Sequence, residues 1–82
     1  MYTTIDKKVK MIALFDGGRV IPRIFRWQNR DHKVREVSIS YREREGRSVS
    51  YYFGIETEDG GVFKLKYNDQ QLIWTLLEVW SG

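Results

Sequence analysis

Cysteine is absent from the 82 residues, and histidine and proline occur once each. Without cysteine, neither a disulfide framework nor a thiolate metal centre can form. A zinc site needs several His or Cys ligands, so His32 alone cannot supply one. A Ser-His-Asp triad would have to use that same histidine. It stands between Asp31 and Lys33 in a turn-like segment and reads as solvent-exposed. No stretch approaches the roughly 18 apolar residues of a membrane span. The opening MYTTIDKKVK lacks the apolar run of a signal peptide. The expectation is a cytoplasmic protein with no membrane association, metal or cofactor.

Carboxylates offer no better start for catalysis. Glu56 and Glu58 are two apart on a strand and so share a face, but that face reads as solvated. Asp16-Gly17-Gly18 and Asp59-Gly60-Gly61 lack the alternating oxygen ligands of a calcium loop. Neither precedes a helical pattern that could present its N-terminus to a phosphate. The chain is therefore expected not to be an enzyme.

What the chain does contain is aromatic surface and turn signals. Three Trp, five Tyr and four Phe supply large apolar areas to a chain long enough for one small domain, residues 1–82. Asp16-Gly17-Gly18, Asn29-Arg30-Asp31, Glu45-Gly46-Arg47, Asp59-Gly60-Gly61 and Asn68-Asp69 separate runs rich in Val, Ile, Phe, Tyr, Trp and Thr. This spacing predicts an all-β protein with six strands near 7–15, 19–28, 32–44, 47–58, 61–67 and 72–80. Short connections imply an antiparallel meander, closed as a small barrel or strongly curled. Pro22, inside the second run, predicts an edge, a bulge or a bend.

Alternation assigns faces. Val37, Ile39 and Tyr41 fall on one side of the third run, with Ser38, Ser40 and Arg42 on the other. Val49, Tyr51, Phe53 and Ile55 oppose Ser48, Ser50, Tyr52 and Glu56, and Phe63, Leu65 and Tyr67 oppose Lys64 and Lys66. In the second run, Ile21, Arg23, Phe25 and Trp27 share a face that is not purely apolar. The last run, LIWTLLEVW, is apolar on both sides and also fits a helical stripe through Ile73, Leu76, Leu77 and Trp80. Its Ile, Trp, Thr and Val favour the strand.

Charge is uneven along the chain. Residues 1–50 carry 12 Lys and Arg against 6 Asp and Glu, whereas residues 51–82 carry 2 against 5. In PRIFRWQNRDHKVREV, residues 22–37, cations surround Phe25 and Trp27. If Arg26 and Arg35, with Arg42, Lys64 and Lys66, share an outer face with Tyr52 and serines, that face suits single-stranded nucleic acid. Phosphates would meet the cations and a base would stack on the ring. Glu36, Glu43, Glu56 and Glu58 on the same faces would screen the cations, and a solvated hairpin face stands as the plainer reading. The competing expectation is a homodimer or protein partner docked on the apolar tail through Leu72, Trp74, Leu76 and Trp80.

The order of an apolar strand, Gly-Gly, IPRIFRWQNRDHKVREV and YYFGIETEDGGVFKLKYNDQQLIWTL resembles a group of uncharacterised stand-alone bacterial proteins of about this length. The matching positions are Pro22, Phe25, Trp27, Tyr51, Phe53, Leu65, Trp74 and Leu76. The resemblance implies a bacterial, all-β, cytoplasmic protein of unknown function. It transfers no catalytic or binding residue.

Overall fold

The computed structural model describes residues 1–81. Its six strands are β1 (Tyr2–Asp16), β2 (Arg19–Trp27), β3 (Arg30–Glu45), β4 (Ser48–Thr57), β5 (Val62–Asn68) and β6 (Ile73–Trp80). Each pairs antiparallel with the next, and β1 returns to pair with β6, closing the barrel. The all-β meander expected from turn spacing is what forms. The last run is a strand, and β1 starts earlier than its apolar pattern suggests.

Turn chemistry sets the hairpins. Gly17 and Gly18 both have positive φ, as a two-residue hairpin turn matched to strand twist requires. Between β2 and β3 the same job falls to Gln28 and Asn29, also both at positive φ. The turn therefore lies one residue earlier than Asn29-Arg30-Asp31, and Arg30 already belongs to β3. At Gly61 the constraint is space: a Cβ would sit 2.7 Å from the Phe63 ring and 2.9 Å from Thr57 Oγ1.

One-residue bulges bend the strands enough to close so small a sheet. Between β1 and β2, Ile12 pairs with Ile24 but Ala13 with Pro22, so Arg23 is the extra residue. Pro22 thus sits where the ladder is already broken, and its missing N–H costs little there. Arg35 and Ser38 bulge from β3 against β4, Leu77 from β6 against β5, and β1 carries an irregularity between Thr4 and Lys7. Asp6, within that last irregularity, has a φ of 53°.

Each bulge inverts the alternation that follows it. Pro22 and Phe25 are both buried although three residues apart. Leu76 is buried and Val79 packs on the core across Leu77, which explains why the tail reads as apolar on both sides. In β3, Val37 opposes inward-facing Ile55, whereas Ile39 and Tyr41 oppose Gly54 and Tyr52 on the outer face. The expected common face of Val37, Ile39 and Tyr41 is thereby split.

Ile55, Leu65 and Leu76 are fully buried. Leu65 lies between the β5 aromatics Phe63 and Tyr67, which belong to separate clusters. Tyr67, Trp74, Phe53 and Tyr51 form one, with Tyr67 and Trp74 at 4.9 Å between ring centroids. Phe25, Trp27, His32 and Phe63 form the other. His32 is only 7% exposed, stacked on Phe25 at 5.0 Å, so its expected solvent exposure is corrected. Its position opposite Phe25 in the β2–β3 ladder turns the ring inward, and Nδ1 has no hydrogen-bond partner among the described residues.

The β4–β5 connection is held by Thr57, whose buried hydroxyl donates to Asp59 Oδ1 and accepts from Gly61 N at 3.0 Å. Hydrogen bonds donated to Asp59, from the Thr57 hydroxyl first and the Gly61 amide second, hold its carboxyl below its ordinary range. A carboxyl lowered on folding stabilises the protein above its unfolded value of about 3.9 and loses that contribution as pH falls through the folded value. Asp59→Asn should therefore flatten the fall of the urea midpoint below about pH 4. An unchanged pH profile would show that this carboxylate contributes nothing to acid stability.

Candidate functional site

The outer face of β3, β4 and β5 gathers the chemistry most suited to binding. Tyr41 and Tyr52 are register partners, and their rings stack at 4.9 Å between centroids with an 11° interplanar angle. Lys66, the β5 partner of Tyr52, holds its ammonium 5.7 Å from the Tyr52 ring centroid, a cation–π geometry. Lys64 pairs with Gly54 in the next row. Because Gly54 has no side chain, the Ile39 methyl lies over it; a Cβ there would come within 2.6 Å of Ile39 Cγ2. The result is a shallow groove of about 220 Å³ running over Gly54 between Tyr2, Ile39, Tyr41, Lys64 and Glu78.

Carboxylates frame this face without neutralising it. Tyr52 Oη donates to Glu45 at 3.5 Å, and Lys64 lies 3.9 Å from Glu78. Lys66 has no ion-pair partner among the described residues. Beyond it lies a polar cleft of about 480 Å³ whose lining includes Ser48, Asn68, Gln70, Gln71 and Thr75. Asn68 Oδ1 accepts from the Gln70 and Gln71 amides at 3.1 and 2.9 Å, shaping that rim.

The sequence-derived set divides. Tyr52, Lys64 and Lys66 come together on the outer face. Arg42 pairs with Tyr51, whose side chain is on the opposite face of β4 from Tyr52, and so lines a different cleft. Arg35 is committed to Glu56, which accepts from Nη2 through both carboxylate oxygens. Arg26 stands opposite Asp31 rather than Arg35 or Arg42, ion-paired to it at 3.0 Å. Ser50 is buried and accepts from Asn68 Nδ2 at 3.3 Å, so it leaves the hydroxyl-bearing face. Tyr41, Ile39 and Gly54 were missed, because alternation without the Ser38 bulge turns Tyr41 inward. The exposed Ser38 hydroxyl, bonded to the Gly54 carbonyl at 3.1 Å, marks that bulge.

The tail set divides too. Trp74 and Leu76 are buried in the barrel's own core, and β6 is hydrogen-bonded to β1 on one edge and β5 on the other. That corrects their placement at a partner surface: closing the barrel uses the side chains and edges a partner strand would need. Leu72 and Trp80 are exposed, and Trp80 meets Tyr2 edge-to-face at 5.1 Å. Comparison with protein-family models, curated proteins and solved structures finds no match.

Leu72 is 71% exposed and held at a φ of 58°, a backbone region that favours glycine. Its amide donates to the Asn68 carbonyl at 2.9 Å, which holds the turn in that shape. Leu72→Gly is expected to raise stability by up to about 1 kcal/mol, read as the urea midpoint. A drop would mean that the exposed leucine packs against something in solution.

Proposed function

We propose that this protein is a non-enzymatic module that binds single-stranded nucleic acid on the outer face of β3, β4 and β5. The observation that carries the reading is the outer-face Tyr41–Tyr52 stack, with Tyr41 exposed and Lys66 over the half-buried Tyr52 ring. Flat aromatic surface accepts any base, and neighbouring ammonium groups follow the backbone phosphates. Lys64 extends the cationic track by one row along β5, beside the Gly54 groove. Cation–π contact already orients Lys66 toward the ring, so a base and its phosphate could be met together.

The test is fluorescence anisotropy with a labelled oligothymidine at low and moderate salt. Tyr41→Ala should weaken binding by about 1–3 kcal/mol, the usual worth of one stacked base. Lys66→Gln should lower the slope of log affinity against log salt by about 0.7, one phosphate contact. Binding unchanged in both variants, or none at low salt, would refute the reading.

A second reading rests on the exposed Tyr2–Trp80 pair. With both β6 edges in use, a partner would dock on these rings rather than extend the sheet. If they form a homodimer contact, light scattering at high concentration should give twice the monomer mass for the wild type and the monomer mass for Trp80→Ser. A monomeric wild type would end this reading.

A further inference from the structure

The barrel has a weak seam. β2 and β3 share only the pairs from Ile24–Lys33 to Trp27–Arg30. Beyond them β2 runs on through Arg19–Arg23 bonded to β1 alone, and β3 through Val34–Glu45 bonded to β4 alone. Two strand edges therefore face each other without a ladder. Alternate main-chain N–H and C=O groups on each edge lack a protein partner among the described residues. Between them opens a cleft of about 310 Å³, with Val20 and Ile21 on one side, Val37 and Arg42 on the other, and Tyr51 and Phe53 at its floor.

Unpaired edges over an apolar floor are the requirements for strand addition. Main-chain groups supply affinity and alternate side chains fill pockets. The charge around the seam selects the guest. Arg19 and Arg42 line the cleft, while Arg23 and Lys33 flank its lower end with a single carboxylate, Glu58, beside them. None of these four cations makes an ion pair among the described residues. A second copy offering its own β3 would bring β4 attached to it, and β2 stands across the cleft from the edge it would occupy.

We infer that the β2–β3 seam is a docking site for one extended peptide segment that alternates apolar and acidic residues. Its apolar side chains enter the cleft over Tyr51 and Phe53, and its carboxylates, which alternation places on the outer side, meet Arg19. The site is separate from the Tyr52–Lys66 face, because Tyr51 and Tyr52 point to opposite sides of β4. Tyr41, at the rim of both, is the one shared residue.

The test titrates isotope-labelled protein with a capped heptapeptide of alternating Glu and Val. Amide shifts and at least tenfold slower hydrogen exchange are expected in residues 19–23 and 34–42, and not at Lys64 or Lys66. N-methylation of alternate peptide residues should cost at least tenfold in affinity, because it removes the edge hydrogen bonds. Arg19→Glu, checked as folded by its amide spectrum, should reverse the preference toward the peptide with Lys in place of Glu. Three results would overturn the inference: no protection at millimolar peptide, equal binding of the N-methylated peptide, or a dimer whose seam amides are protected without peptide. Oligothymidine binding at Lys66 is read independently, so either proposal can fail alone.

Discussion

Closing a sheet of only six strands is the constraint on which the structure depends. Strands must coil hard to meet their neighbours round so tight a circle, and a flat ladder cannot do it. Here the coiling is concentrated at bulges opposite Ala13–Ile12, in β3 at Arg35 and Ser38, and in β6 at Leu77. Around them the side chains sort into a core whose aliphatic members, Ile55, Leu65 and Leu76, are fully buried. Aromatic rings fill the remaining volume in edge-to-face and stacked contacts, the geometry that their charge distribution favours.

The same bulges create both surfaces on which function is proposed. The Ser38 bulge turns Ile39 and Tyr41 outward, and only then can Tyr41 stack on Tyr52. Gly54 completes that face because any larger residue would displace Ile39. On the β2–β3 side, strong bending separates strands that are neighbours in the chain, leaving a short ladder and an open cleft. In this fold, the irregularities that permit closure also leave one joint incomplete.

Electrostatics on these surfaces is a matter of placement more than of total charge. The net charge of +3 is small. Arg26 and Arg35, prominent in the basic stretch, are spent on Asp31 and Glu56 as cross-strand pairs at the surface. Such solvent-screened pairs contribute little to stability and leave little free charge for a ligand. Among the cations without an ion pair in the described residues, Arg19, Arg23, Lys33 and Arg42 lie along the seam and Lys66 on β5, far apart in the sequence.

Turn residues and strand-forming composition were enough to read six antiparallel strands from the sequence alone. The inward faces of β5 and of most of β4 were equally legible, because alternation runs uninterrupted from Tyr52 to Thr57 and from Val62 to Asn68, with Ser50 the exception. Tyr52, Lys64 and Lys66 were found for that reason. In β2, β3 and β6 one inserted residue reverses every later side chain; Pro22 announces the irregularity beside Arg23, but nothing local announces those at Ser38 or Leu77. Closure of the barrel, the burial of His32, the outward turn of Tyr41 and the open seam were therefore decided only by the tertiary structure. Alternation is a local property, whereas a bulge is set by how two distant strands must curve to meet.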